Sequence, residues 1–479
     1  MAVLAPRETP RTWKLEEVLI TEPGVIRRAI GAAAIGNVTE WYDFGVYAYF
    51  EPTLRQVFFS GLSVTAGTIA TFGLFAVAFL IRPLGGLFFG PLADRIGRNR
   101  VLAMTMVLMA LGTFAIGLIP SERSIGIWAP ILLLVARLVQ GFSTGGEYGN
   151  AMTFIAEYAP DRRRGFLGSW LEFGTFTGYL LGAIVATVAD AALTQDQLLA
   201  WGWRLPFLVA LPLGFIGIYL RTRLADTPAF IALEHEAEQR EKAHRHLHPH
   251  ETRTLLALWP FMLVCMGLVL VWNVTNYMLT SYMPTYVTDT MPKLQGSTTD
   301  TTTTSQVVQI AVMVIALLLI PLIGLLSDRI GRKPIAWFGS IGLVVLAFPM
   351  IMLIRTEQPA QIFAGLMIMG LLLICFSATM PSTLPSLFPT EVRGGGLSIA
   401  FNVSVSLFAG TTSLVVGTLV AATGDLNWPA YYLIIAGAIG MASVWFLQEP
   451  NRRRMWGSPP SATSLEEAER IIQAQQKVA

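Results

Sequence analysis

A nine-residue basic sequence occurs twice in this chain, each time between two long apolar segments. The first copy runs Gly90-Pro91-Leu92-Ala93-Asp94-Arg95-Ile96-Gly97-Arg98, and the second Gly324-Leu325-Leu326-Ser327-Asp328-Arg329-Ile330-Gly331-Arg332. Asp94 and Asp328 are separated by close to half of the 479 residues. A loop repeated at half-length implies a duplicated architecture, in which each half returns the chain to an equivalent position.

Composition fixes what the halves are made of. Hydrophobic residues are 53% of the chain and charged residues 13%, too few charges to cover the surface of a soluble protein of this size. About twelve apolar segments are long enough to cross roughly 30 Å of hydrocarbon. They lie near 29–50, 65–90, 101–119, 126–148, 165–189, 204–221, 256–281, 306–326, 334–354, 360–384, 395–421 and 429–448. The expected fold is therefore an all-α membrane protein with 12 transmembrane helices in two pseudo-symmetric six-helix bundles. Residues 1–28 lack the uninterrupted apolar core of a signal peptide and read as a cytoplasmic arm. Residues 29–222 form the first bundle, 223–254 a cytoplasmic central loop, 255–450 the second bundle and 451–479 a cytoplasmic tail.

Orientation follows from where the basic residues fall. Clusters at Arg95/Arg98/Arg100, Arg162/Arg163/Arg164, Arg221 through Arg253, Arg329/Arg332/Lys333 and Arg452/Arg453/Arg454 occupy alternate loops. The positive-inside bias then puts both termini of this multi-pass protein in the cytoplasm, with the bundles in the inner (plasma) membrane. The net charge of only +2 implies no nucleic-acid partner; the partners expected are the lipid bilayer and a small solute. Cys265 and Cys375 sit inside apolar runs and read as small core residues. All five histidines, His235, His244, His246, His248 and His250, lie in the central loop, with no carboxylate or cysteine cluster to complete a metal site. The Thr-rich run Thr298–Ser305 reads as a flexible outer loop. Neither a nucleotide-binding motif nor a catalytic triad is present, so the chain reads as no enzyme and as needing no cofactor.

With no histidine in the membrane, proton chemistry there must use carboxylates, and these are concentrated in one half. The stretches 255–288, 301–327, 334–354, 358–390, 394–424 and 426–448 contain no Asp, Glu, Lys or Arg, whereas Glu40, Asp43, Arg82, Arg137, Glu147 and Glu172 fall inside spans of the first half. Each costs on the order of 3 kcal/mol at mid-membrane unless paired or facing water. In the first span Gly36, Glu40, Asp43 and Tyr47 share one narrow stripe at about 100° per residue. Glu40 lies about 17 Å into the bilayer and Arg82, on a helix running the other way, about 18 Å from the inner loop. Arg82 is thus expected to pair with Glu40 or Asp43, as the base at their depth. A structural ion pair that only locks helices is the alternative to proton or substrate handling. Glu147 follows the small residues Gly141, Ser143, Thr144, Gly145 and Gly146, and is a further candidate for the pathway. Gly174, Gly178 and Gly182 recur every four residues and read as a packing ridge. Asn273, Asn276 and Tyr277 share a face of the seventh span and could give neutral hydrogen bonds to a ligand or to a neighbouring helix.

Together these residues carry a family resemblance. The duplicated Asp-Arg-x-Gly-Arg sequences resemble the signature of the major facilitator superfamily, and Glu157 with Arg164 resembles the acid and base this family places between helices 4 and 5. Gly36-Asn37-Val38-Thr39-Glu40-Trp41-Tyr42-Asp43-Phe44-Gly45-Val46-Tyr47 resembles helix 1 of its metabolite:proton symporters. Phe79-Leu80-Ile81-Arg82-Pro83-Leu84-Gly85-Gly86, Gln140-Gly141-Phe142-Ser143 and Trp201-Gly202-Trp203-Arg204 extend the likeness over roughly residues 12–475. The chain also resembles the osmoregulatory proline/glycine betaine symporters, although Leu465 to Gln476 supplies under two heptads where the best-studied forms carry a long coiled coil.

The resemblance implies a secondary active transporter, working by alternating access, that takes up a zwitterionic osmoprotectant with a proton. Glu40, Asp43, Tyr47 and Arg82 supply the acid, aromatic face and base that a zwitterion needs. Asp94, Arg95, Gly97 and Arg98 of the first copy, and Asp328, Arg329, Gly331 and Arg332 of the second, are expected to form a cytoplasmic gate. In it the aspartates would cap neighbouring helices and the arginines bind facing acids such as Glu157. A proton symporter of a dicarboxylate, citrate or shikimate would share this fold, and a non-transporting sensor or a channel is the alternative from a different class.

Overall fold

Proline marks where several helices begin. Pro23, Pro359 and Pro429 each occupy the first turn of a helix, where the missing N–H would have had no partner and the fixed φ is already helical. A computed structural model of the chain describes residues 13–20, 22–96, 98–145, 147–225, 257–296, 302–390 and 392–476. The first half supplies α1 (Pro23–Tyr49), α2 (Val64–Leu80, resumed at Arg82–Ile96), α3 (Arg98–Leu118), α4 (Trp128–Ser143, resumed at Glu147–Tyr158), α5 (Arg164–Ala192) and α6 (Arg204–Ala225). The second supplies α7 (Trp259–Gln295), α8 (Thr302–Ile330), α9 (Arg332–Ile354), α10 (Pro359–Leu387), α11 (Arg393–Thr423) and α12 (Trp428–Phe446).

Eight of these, α2, α5 and α7 to α12, are long and apolar enough on their own to cross a membrane, and α6 joins them with the bent segment before it. The other three carry charges or a break. Arg27, Arg28, Glu40 and Asp43 interrupt α1, Arg98 and Arg100 open α3, and α4 breaks at Thr144-Gly145. The twelve helices α1 to α12 make this an all-α, multi-pass membrane protein.

Within the first half α1 packs against α5 and α6, and within the second α9 packs against α10 and α12. The halves meet where α5 lies on α8 and α2 on α11. The α1–α5 contact depends on absent side chains: a Cβ on Gly178 would come within 2.6 Å of the Val38 carbonyl oxygen, and one on Gly182 within 2.6 Å of the Val46 nitrogen. Gly174 faces the Ala34 carbonyl in the same way. The ridge lets two backbones touch and holds the carboxylate-bearing stripe of α1 in a fixed rotation.

Several features depart from the sequence reading. The second basic copy is a corner rather than a loop: α8 continues through Asp328 and Arg329 to Ile330, and α9 starts at Arg332. Gly331 alone makes the turn, with φ of 103°, a region a side chain would strain. The Thr-rich run is helical from Thr302, so Thr302–Ser305 belong to α8. α1 starts at Pro23 rather than near Ala29, and α6 runs on to Ala225. The arm and tail also meet: Leu19–Ile20 pair in parallel with Ser461–Ala462, and the tail helix Leu465–Gln476 buries Ala468 against Val18. The rest of the central loop with all five histidines, residues 297–301, Gly97, and the side chains of Asp94, Arg95 and Arg98 lie outside the described residues.

Candidate functional site

Close helix contact sets the bases beside the acids. Gly141 and Gly145 of α4 meet the carbonyls of Ala78 and Arg82, and Gly85 of α2 meets the carbonyl of Phe142, each so closely that a Cβ could not be accommodated. With α2 and α4 in backbone contact, Arg82 and Arg137 both reach the carboxylate stripe of α1. Nη2 of Arg82 lies 3.7 Å from Oε1 of Glu40, and Nη1 of Arg137 lies 3.5 Å from Oδ2 of Asp43. All four side chains are buried. Arg82 is therefore not the one base at the depth of both acids: each acid has its own, and Asp43 pairs with Arg137. The arginines could not be assigned from rise along a helix alone, because that measure gives depth and not rotation.

The Asp43 pair is the more fully bonded. Nε2 of Gln140 donates to Oδ2 of Asp43 at 2.7 Å and also lies 2.9 Å from Oγ1 of Thr113, while Nη1 of Arg137 donates to Oε1 of Gln140 at 2.9 Å. The Arg137 guanidinium lies 3.4 Å from the centre of the Tyr47 ring, and the Tyr47 hydroxyl donates to the Thr71 carbonyl at 3.0 Å. Arg82 is less committed. Its guanidinium faces the rings of Phe79, Phe44 and Trp41 at 4.3, 5.1 and 5.5 Å, and its Nε and Nη2 make no hydrogen bond among the described residues. A cavity of about 20 Å³ between α1, α3, α4 and α6, bordered by Thr39, Glu40, Asp43, Thr113 and Ser143, touches both acids. It has room for one water-sized molecule.

A third acid completes the interior. Glu172 on α5 accepts from the Tyr148 hydroxyl, and Oγ1 of Thr175 donates to it at 3.2 Å while accepting from Nδ2 of Asn37 at 3.0 Å. Tyr148 stacks on Phe401 of the second half at 5.2 Å between ring centres. Among the neutral candidates, Nδ2 of Asn273 donates to the Val269 carbonyl of its own helix at 3.1 Å. Oδ1 of Asn276 and the Tyr277 hydroxyl are buried without a hydrogen-bond partner among the described residues. They precede a π-helical turn at Met278–Tyr282, upstream of Pro284, which has no N–H to close a regular turn. Glu147 opens the second piece of α4, and its side chain lies outside the described residues.

The bundles are joined at both ends. At the end carrying the termini, the Asp328 carboxylate accepts from the backbone N–H groups of Gly165 and Phe166 at 2.8 and 2.9 Å, capping α5 of the other half, and pairs with Arg332 at 3.1 Å. Glu449 accepts from the backbone N–H groups of Arg332 and Lys333 at 2.9 and 2.8 Å. Arg329 is exposed. Glu157 pairs with Arg393 at 2.6 Å and, among the described residues, not with Arg329 or Arg332, whereas Arg164 binds Asp161, the Ala156 carbonyl and the Arg453 carbonyl. Burial raises the Asp161 carboxyl, against the opposing pull of Arg164. Arg393 also donates to the carbonyl of Trp456 and the hydroxyl of Ser458, so both Arg164 and Arg393 hold the tail.

At the opposite end Arg55 pairs with Asp289 at 3.0 Å, and the Thr285 hydroxyl donates to Glu51 at 3.1 Å. Glu51 lies in the short helix Glu51–Phe58 beyond α1. Burial pushes its carboxyl up to about 7, with Arg55 opposing and Asp289 adding to the rise. The sequence reading gave no role to Arg137, Gln140, Glu172, Arg393, Arg55 or Asp289. Arg137 and Glu172 were visible as intramembrane charges, and Arg393 occupies in the second half the place that Arg164 holds in the first.

Residues 33–399, and again 290–472, match the Major Facilitator Superfamily. The chain belongs to this family. The glycine betaine/proline/ectoine/pipecolic acid transporter of Dickeya dadantii (strain 3937) is 46% identical over 98% of this chain and 92% of that protein. The proline/betaine transporter of Salmonella typhimurium is 45% identical over 96% of this chain and 90% of that protein, and that of Escherichia coli K12 44% over 97% and 92%. Among solved structures, the family's proton:xylose symporter bound to 6-bromo-6-deoxy-D-glucose superimposes with a TM-score of 0.68 over 94% of this chain and all of its own, at 18% identity. The partially occluded, inward-open xylose transporter of E. coli gives 0.64 over 88% and 98%, at 20%. Those two likenesses establish the shared fold.

Proposed function

We propose that this chain takes up zwitterionic osmoprotectants such as proline and glycine betaine, each with a proton, by alternating access across the inner (plasma) membrane. The end carrying the termini then faces the cytoplasm and is the inner end; the Arg55–Asp289 end is the outer. Identity of 44–46% over nearly the whole length of three transporters named for these solutes supports the substrate class. The observation that carries proton coupling is the pair of buried acids on α1, each opposite its own arginine.

Coupling follows from competition for a guanidinium. Arg82 is held by Glu40 at 3.7 Å without a hydrogen bond from its Nη2, so a substrate carboxylate with bidentate geometry displaces Glu40. A buried carboxylate deprived of its counter-charge takes up a proton rather than remain ionised. Asp43, with Arg137 and Gln140, offers a second exchange site across the small cavity. Because the solute is neutral overall, each cycle moves one charge, worth about 2.3 kcal/mol per 100 mV, or roughly fortyfold accumulation. Latches at both ends of one structure match an occluded step of the cycle, with substrate access requiring one set to open.

Uptake by purified protein in proteoliposomes under an imposed pH gradient tests the reading. Labelled proline and betaine should accumulate, a protonophore should abolish the accumulation, and unlabelled ectoine should compete. Competition by citrate, oxoglutarate or shikimate with no effect of proline would refute it in favour of an anion symporter.

A further inference from the structure

An aromatic layer crosses the boundary between the bundles and ends in charges of opposite sign. Trp41 of α1 is its hub, with the rings of Tyr148 at 6.4 Å and Tyr277 at 6.3 Å, and the Arg82 guanidinium at 5.5 Å. Beyond Tyr148 lie Trp272 at 6.2 Å and Phe401 at 5.2 Å, both from the second bundle. Trp272 is fixed by its indole N–H, which donates to Oγ of Ser377 at 3.1 Å. Glu172 sits behind Tyr148 and accepts a hydrogen bond from its hydroxyl. Every one of these side chains is buried. The layer also holds unused polar capacity: the Tyr277 and neighbouring Tyr179 hydroxyls, and Nε and Nη2 of Arg82, have no hydrogen-bond partner among the described residues.

We infer that this layer binds the substrate in one orientation, with its ammonium among Tyr148, Trp272 and Phe401 beside Glu172 and its carboxylate on Arg82. The inference rests on the proposed zwitterion transport and adds the polarity and the residues that read the nitrogen. A cation gains from ring faces most when water is excluded, as it is here. Trimethylammonium has no N–H, so it depends on ring faces, whereas the ammonium of proline can also donate to the Glu172 carboxylate in place of Tyr148. The rings come from both bundles, so an ammonium among them draws the halves together and favours occlusion.

The two kinds of contact predict crossed effects on the ratio of KM for betaine to KM for proline, measured by counterflow. Trp272→Leu should raise KM for betaine about tenfold and that for proline less. Glu172→Gln should move the ratio the other way, weakening proline more. Trp272→Phe, which keeps a ring, should restore most of the betaine affinity. If Trp272→Leu does not reach the membrane, Phe401→Leu removes another wall of the same site and carries the same expectation. A ratio that stays at the wild-type value in both the ring and the acid variant, or that moves in the same direction in both, would overturn the assignment. Wild-type protein that transports neither solute would instead refute the transport reading on which it rests.

Discussion

Inside the first bundle Glu40, Asp43, Arg82, Arg137 and Glu172 are all buried within helices, whereas the buried charges of the second, Asp328, Arg332 and Arg393, sit at helix ends. The polar groups inside the second bundle are neutral, among them Asn273, Asn276, Gln309 and Ser377. Duplication preserved the helices and the Asp-Arg-Ile-Gly-Arg sequence that ends at Arg98 and Arg332, but not the interior chemistry. A buried ion pair is hard to move because breaking it strands a charge, at a cost of about 3–5 kcal/mol. A neutral face can slide past its partner without that penalty. The first bundle is thus suited to hold protons and solute charge, and the second to close over them.

The largest test of this division is on α1. Asp43→Asn keeps the shape and the bond from Gln140 but cannot exchange a proton, and should lower gradient-driven accumulation to its equilibrium value, a loss of roughly fortyfold at 100 mV. Asn276→Ala, the neutral counterpart in the second bundle, should leave accumulation within about threefold of wild type, since it removes no charge and at most one neutral hydrogen bond to the solute. Equal losses in the two would break the comparison. Arg82→Lys comes next: it keeps the charge but loses the planar fork and its ring contacts, and initial uptake should fall about tenfold. A wild-type rate would reduce Arg82 to a neutraliser of Glu40.

Smaller effects are expected where the bundles meet. Asp328→Asn weakens the cap on α5, a charged hydrogen bond worth about 1.5–3 kcal/mol. It should shift the population toward the inward-open form, read as faster cysteine labelling of inner-pathway positions in a background lacking Cys265 and Cys375. Unchanged labelling would leave the repeat a folding signal. At the Arg55–Asp289 end the sign follows from Glu51, whose carboxyl is raised to about 7 from an ordinary 4.5 when buried. Below 4.5 it is protonated whether the latch is open or closed, and closure has its full strength. Between 4.5 and 7 the open form ionises first, so rising pH weakens closure. Labelling of an outer-pathway cysteine should therefore increase across that interval in wild type and stay level in Glu51→Gln.

Much of this division is legible in the sequence, because burying a charge in a membrane is costly enough to mark its position. The stripe of Glu40, Asp43 and Tyr47 follows from helical spacing, and the ridge of Gly174, Gly178 and Gly182 from its four-residue recurrence. Partnerships are less legible. That Asp43 takes Arg137 while Glu40 takes Arg82 depends on how α2 and α4 are rotated, which Gly141 and Gly145 settle only once the helices are packed. Glu157 is bound by Arg393 from the other half for the same reason, since contacts across the bundle boundary leave no periodic trace. The aromatic layer was hidden differently: aromatic residues on α1, α4, α7 and α11 look like ordinary core residues until the fold brings them together.

The central claim, that proton coupling resides in the first bundle, is tested most directly by comparing two assays on the same proteoliposomes. Counterflow exchange needs solute binding and alternating access without net proton movement, whereas accumulation under an imposed pH gradient needs coupling as well. Asp43→Asn should retain counterflow and lose accumulation, while Asn276→Ala retains both. Full gradient-driven accumulation by Asp43→Asn and by Glu40→Gln would contradict the account.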